Sequence, residues 1–119
     1  MSITIYGIKN CDTVKRARKW LEAEAIEHVF HDFRKDGLTA DMVDAFVEAL
    51  GLEAVLNKRG TTWRKLPSDV IDGIDEAGAK ALLLEHDALI KRPVWYKDGE
   101  YRLGFAAKDQ ATFDTWLKR

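Results

Sequence analysis

An α/β fold is predicted by three features of this 119-residue sequence. A short apolar strand, Ile3-Thr4-Ile5-Tyr6, is followed by a strongly helical run and a second strand. The middle of the chain reads as helical, and its end brings a proline, a hairpin signal and a last helix. This length fits one domain with a single modest core, expected over residues 1–119 with a helical insertion at approximately residues 38–87.

The first helix is expected from about Thr13 to Glu24, because Val14, Ala17, Trp20 and Leu21 form an apolar stripe at helical spacing. Its other face, with Lys15, Arg16, Arg18, Lys19, Glu22 and Glu24, reads as solvated surface. Glu27 to Phe33 reads as the second strand, ended by Lys35-Asp36-Gly37. Two strands joined by one helix of this length imply a parallel pair in a βαβ crossover. Thr39 is the expected N-cap of a helix reaching Leu50 and closed by Gly51. The polar stretch from Asn57 to Lys65 reads as a loop, with basic residues and two threonines around Trp63. Pro67-Ser68-Asp69 opens a short helix, and Asp75 or Glu76 starts another that runs to His86.

Strand character returns at Ala88-Leu89-Ile90 and again at Val94-Trp95-Tyr96. Lys97-Asp98-Gly99-Glu100 then carries an Asp-Gly hairpin signal before Tyr101 to Phe105, which predicts an antiparallel pair. From Asp109, the spacing of Phe113, Trp116 and Leu117 predicts a closing amphipathic helix. Pro93 falls between two strand-like stretches; a central strand disfavours proline and X-Pro bonds are where cis peptides occur, so it marks a bend or the edge of a site.

Composition excludes several classes of function. A net charge of −1 and a pI near 6.3 give no bulk electrostatic reason to expect nucleic acid or an anionic membrane as partner. No stretch is long and apolar enough to cross a bilayer, and Met1-Ser2-Ile3-Thr4-Ile5 lacks the pattern of a signal peptide. One cysteine allows no internal disulfide and no thiol-rich metal site, which fits a reducing cytoplasm. His28, His31 and His86 lack a carboxylate motif that would complete a metal site, so no metal is expected.

That cysteine, Cys11, stands where the first strand passes through Gly7-Ile8-Lys9-Asn10 into the first helix. A thiol at a helix N-terminus faces unpaired N–H groups and the positive end of the dipole, a setting that favours thiolate. Asn10 is read as the N-cap, with Asp12 and Thr13 as further polar groups of the first turn and Lys9, Lys15 and Arg16 as nearby positive charge. The site then lies at the carboxyl end of a strand, where open α/β sheets place their ligands.

Strand-helix-strand, helical insertion, proline, hairpin and helix is the order of the thioredoxin-like fold. Four ordered blocks, Ile5 to Val14, His31 to Gly37, Asn57 to Trp63 and Ile90 to Pro93, resemble the arsenate reductase-like ArsC/Spx family. Within it they look most like the YffB-type branch described as glutathione-dependent thiol reductases. The resemblance implies that Cys11 is the nucleophile and that the Arg92-Pro93 bond is cis, with Arg92 one of the oxyanion-binding arginines. The other falls on Arg59 or, with an ungapped pairing, on Asn57. Asn10, Asp12, Thr13 and Pro93 complete the expected substrate-binding set. A third arginine of the arsenate reductases has no counterpart at Gly104-Phe105, and Gly7-Ile8-Lys9-Asn10 replaces their His-Asn-Pro pattern.

Val14 occupies the second position of a Cys-x-x-Cys motif, so a resolving thiol must come from outside. Glutathione is the expected co-substrate, with glutaredoxin as a further partner and no tightly bound cofactor. Two other readings stand beside this one: an Spx-like regulator that binds RNA polymerase, and an arsenate reductase.

Overall fold

A computed structural model describes residues 3–119 of the chain. Met1 and Ser2, part of the segment read as lacking a signal peptide, lie outside the described residues. The described residues form two compact units, one of residues 3–37 with 92–119 and the other Leu38–Lys91.

The first unit begins with β1 (Ile3–Gly7), whose alternate residues Ile3, Ile5 and Gly7 are buried. The chain turns into α1 (Asp12–Ala23), with Val14, Ala17 and Leu21 buried along one face. It returns as β2 (Val29–Asp32), parallel to β1 with Thr4 opposite Val29 and Gly7 opposite Asp32.

The second unit is helical. Thr39 caps α2 (Ala40–Leu50) by accepting the Met42 N–H at 3.2 Å, and Gly51 ends the helix at φ 89°. Short turns follow at α3 (Leu52–Val55), α4 (Thr61–Arg64) and α5 (Ser68–Ile71). Asp75 caps α6 (Glu76–Glu85) through the Gly78 N–H at 2.8 Å. Val43, Phe46, Val55, Leu83, Leu89 and Ile90 are buried at the centre of this unit.

The chain then re-enters the sheet. β3 (Val94–Lys97) runs antiparallel to β1, with Tyr6 opposite Val94, and β4 (Glu100–Leu103) pairs with β3. Asp98 and Gly99 between them have φ of 48° and 86°, the two positive values that a tight two-residue hairpin requires. After a 3-10 turn at Ala107–Asp109, α7 (Gln110–Lys118) packs Phe113, Trp116 and Leu117 into the core. The sheet order is β2-β1-β3-β4. Ile5, Leu21, Trp95, Phe105, Phe113 and Trp116 fill the core of this unit. This is the predicted α/β arrangement: a βαβ unit and a ββα unit share one sheet, with the helical segment between them in sequence.

Local readings needed correction at five places. Cys11, not Asn10, is the N-cap of α1: its backbone is extended and its carbonyl accepts the Lys15 N–H at 2.9 Å, which places Asn10 one residue too early. Ala88-Leu89-Ile90 is not a strand; Asp87–Leu89 is a 3-10 turn, and Ile90 forms only an isolated bridge to Leu56. Its apolar side chains enter the helical core instead of a sheet, the usual ambiguity of a short apolar run. The Asn57 to Lys65 stretch contains the helical turn α4, and β2 is shorter than the Glu27 to Phe33 strand expected. The outer face of α1 is not wholly solvated: the Arg18 guanidinium lies 4.0 Å from the centre of the Phe30 ring, and Arg16 Nη2 donates to the Phe105 carbonyl.

Candidate active site

The carboxyl end of β1 is built for close approach. A Cβ on Gly7 would lie 2.7 Å from Val14 Cγ2, so only glycine lets the strand end meet the first turn of α1 this tightly. The Gly7 carbonyl accepts the Phe33 N–H at 2.9 Å, which fixes the strand end against the residue that follows β2. Between these contacts Ile8 is buried, Lys9 and Asn10 are exposed, and Cys11 is half-buried as a free thiol.

Cys11 makes no side-chain cap hydrogen bond. The opening N–H groups of α1 have no intrahelical acceptor and converge on the end of the helix that carries the sulfur, where the dipole favours negative charge. Asp12, exposed, and Thr13, half-buried, form the first residues of the helix beyond it.

The second half of the site comes from the strand beside β1. Because β3 is antiparallel to β1 and starts opposite Tyr6, the two residues before it lie at the same end of the sheet as the Gly7–Cys11 loop. Those residues are Arg92 and Pro93, joined by a cis peptide bond. Pro93 is fully buried, and its carbonyl accepts the Gly104 N–H at 2.8 Å. Arg92 Nη1 is buried yet has no hydrogen-bond partner among the described residues. A buried guanidinium N–H without an acceptor is costly to leave unmatched and is a donor prepared for an anion. Topology thus gathers Asn10, Cys11, Asp12, Thr13, Arg92 and Pro93 at one sheet end.

Asn57 and Arg59 belong to the helical unit. There Asn57 Oδ1 accepts the Arg59 N–H at 3.1 Å, and the Asn57 N–H donates to the Leu89 carbonyl at 2.7 Å. Asn57 therefore shapes its loop, while the Arg59 side chain is exposed. Lys58 beside it pairs with Glu53 at 3.4 Å and lies 5.7 Å from the Trp63 ring centre.

Among the described residues no cluster of three or more His, Cys, Asp or Glu side chains could hold a metal ion. His28 and His31 instead bond the carbonyls of Ile26 and Gly37, at 2.8 and 2.7 Å. No helix among the described residues is long and apolar enough to cross a membrane. A cavity lined by Ile3, Leu21, Ile26 and Val29 opens at the amino end of β1, the end of the sheet opposite to Cys11. On the sheet face turned away from α1, burial and the neighbouring phenols Tyr101 and Tyr96 raise the pKa of Tyr6, and burial and Tyr96 raise that of Tyr101.

Two features of the sheet unit, Gly7 at the site and Lys97 at the far end of the sheet opposite Ile3, were missed by reading residues in isolation. The role of Gly7 was signalled by a glycine at a strand end, but its tight partner Val14 is visible only once helix and strand are packed. Lys97, taken as part of a hairpin turn, is 3% exposed and donates Nζ to the carbonyls of Trp116 and Arg119 at 2.6 and 3.1 Å. It places a cation at the C-terminal end of α7, where the helix dipole favours one.

Residues 6–113 match the ArsC family. An uncharacterised protein of Haemophilus influenzae is 46% identical over 112 residues, covering 93% of this chain and 98% of its own. A solved structure described as an arsenate reductase (ArsC) related protein from Brucella melitensis is 46% identical with a TM-score of 0.80, covering 96% of this chain and 95% of its own. The solved YFFB protein has a TM-score of 0.85 at 37% identity, covering 92% of this chain and 96% of its own. The global transcriptional regulator Spx of Bacillus subtilis is 23% identical over 105 residues, covering 87% of this chain and 79% of its own. With its thioredoxin-like α/β fold, the chain belongs to the ArsC family, a family of thiol-based reductases and regulators.

Proposed function

We propose that this protein is a cytoplasmic thiol–disulfide oxidoreductase that uses Cys11 as its nucleophile and glutathione as its co-substrate. The observation that carries the reading is the buried, unpartnered Nη1 of Arg92 at the sheet end where Cys11 caps α1. A nucleophile and an unmatched guanidinium donor at one sheet end suit a substrate that presents a sulfur and an anionic group together. Glutathione has both.

In the first step the Cys11 thiolate attacks a glutathione mixed disulfide. The Cys11–S–S–glutathione bond forms, the old S–S bond breaks, and the substrate leaves as a thiolate that takes up a proton from water. The position that would hold a resolving cysteine is Val14, fully buried in the core. The second step therefore needs an external thiol. A second glutathione thiolate, or a glutaredoxin, attacks the mixed disulfide; Cys11 is released as thiolate and the glutathione leaves as half of a new disulfide. Over the cycle one external thiol enters, the substrate leaves as a thiol, and the glutathione taken from it leaves in the new disulfide, so these steps call for no tightly bound cofactor.

The test is glutathione-dependent reduction of a glutathionylated peptide, followed through coupled reduction of the oxidised glutathione formed. Turnover by the wild type and none by Cys11→Ser is the expected result. Equal turnover by Cys11→Ser would remove Cys11 from the chemistry. Similarity to Spx favours a second reading, a regulator that binds RNA polymerase, and capture of purified polymerase without glutathione-dependent turnover would select it. Arsenate as the oxidised substrate in the same assay tests the third.

A further inference from the structure

Gly104 and Phe105, just beyond β4, connect three parts of the sheet unit. The Gly104 N–H donates to the carbonyl of Pro93 at 2.8 Å, and the Gly104 carbonyl accepts Trp95 Nε1 at 2.8 Å. Gly104 takes φ 80°, a left-handed conformation open to glycine, so the chain turns here to make both bonds. Phe105 is 2% exposed, and its ring centre lies 5.4 Å from Trp20 on α1 and 5.7 Å from Phe113 on α7.

One polar side chain reaches this segment from the helix that presents Cys11. Arg16 Nη2 donates to the Phe105 carbonyl, and its guanidinium carbon lies 5.5 Å from the centre of the Phe105 ring. Arg16 is itself exposed and stands little more than one turn beyond Cys11. A continuous chain of bonded groups therefore runs from α1 through Arg16, Phe105 and Gly104 to Pro93, the residue after Arg92.

We infer that Arg16 is a positioning residue: it straps the Cys11 helix to the segment that holds the Arg92–Pro93 loop and so sets the sulfur in register with the anion-seeking guanidinium. This rests on the reading of Cys11 as a nucleophile toward disulfides. Arg16 makes its contacts with the carbonyl and ring of Phe105. Its effect is on alignment, which reactions with demanding geometry feel most. Attack on a disulfide needs the sulfur in line with the S–S bond while the rest of the substrate is held, whereas alkylation by a small neutral reagent needs only an accessible thiolate.

The experiment compares wild type, Arg16→Ala and Arg16→Lys, with unfolding midpoints recorded for each. Rates of mixed-disulfide formation at Cys11 are measured with oxidised glutathione and with the neutral hydroxyethyl disulfide, beside the rate of alkylation by iodoacetamide. Arg16→Ala should slow both disulfide reactions by about 10-fold or more, with alkylation little changed, because alignment and not thiolate formation is lost. Arg16→Lys, which keeps a donor on a flexible stem, should recover part of the loss. Unchanged disulfide rates in Arg16→Ala would overturn the inference, as would slowing of the anionic disulfide alone, which would mark Arg16 as a simple charge. Equal slowing of alkylation and disulfide formation would overturn it too, as a change in the thiol itself. A wild-type protein that reacts with neither disulfide would instead remove the nucleophile reading on which the inference rests.

Discussion

Replacing Gly7 by alanine should destabilise the protein and slow Cys11 together, because one contact supports both. The added Cβ would lie 2.7 Å from Val14 Cγ2, 3.5 Å from Cγ1 and 3.7 Å from Cβ. Carbon atoms prefer a separation of about 3.5–4.0 Å, so the closest contact overlaps by roughly 1 Å. Val14 is fully buried and cannot swing into solvent to relieve it. Overpacking of this kind costs about 1–3 kcal/mol. A lower unfolded-chain entropy for alanine offsets about 0.4–1 kcal/mol of that, leaving a net loss of about 1–2 kcal/mol. For a chain of this size that corresponds to a fall of roughly 4–8 °C in the thermal midpoint. Circular dichroism melts and urea titrations read the stability, and the rate of mixed-disulfide formation with oxidised glutathione reads the site. In a Val14→Ala background the same Gly7→Ala change should cost less, with a coupling energy on the order of 0.5–3 kcal/mol, because the overlapping methyl is gone. An unchanged or raised midpoint for Gly7→Ala, or costs that simply add in the double variant, would refute the packing argument.

Arg92→Ala should weaken the binding of oxidised glutathione by about 1–3 kcal/mol, the range for a charge-assisted bond at a partly buried site. It should leave the unfolding midpoint nearly unchanged, since Nη1 gives up no protein partner. Concentration-dependent adduct kinetics beside a thermal melt check both halves, and an unchanged affinity would send the anion elsewhere. Tyr6 and Tyr101 give a pH dependence of known sign: burial favours their neutral phenols, so the folded state holds these protons to higher pH than the unfolded chain. The stability they contribute is fully present below a pH of about 10, the ordinary tyrosine value, and is lost as the pH rises through their raised values. Urea midpoints measured across that range should fall, and less steeply in Tyr6→Phe.

Signals confined to a few neighbouring residues carried over well from sequence to structure. Thr39 and Asp75 each hold a helix start through a side-chain oxygen three residues before the donor, a pattern any such sequence displays. Asp98-Gly99 specified its hairpin because few other pairs tolerate two positive φ values. The placement of Cys11 at the start of α1 and of Arg92-Pro93 ahead of β3 was legible for the same reason: each sits at a boundary that turn chemistry marks.

Features that depend on packing were not legible. Ala88-Leu89-Ile90 has the composition of a strand, but the partner it needed was absent from the helical unit, where only Leu56 meets Ile90. Arg18 and Lys97 look like solvent-facing charges in sequence; one lies over Phe30 and the other is buried against the end of α7. The unmatched Nη1 of Arg92 is likewise a property of burial, which no residue spacing reveals.

Intact-mass measurement after incubation with oxidised glutathione tests the nucleophile most directly, since Cys11 is the only thiol in the chain. The wild type should gain one glutathione, released again by added thiol, and Cys11→Ser should gain none. A folded wild type that stays unmodified, while its thiol reacts normally once the chain is denatured, would contradict the proposed chemistry and leave Cys11 as a packing residue at the start of α1.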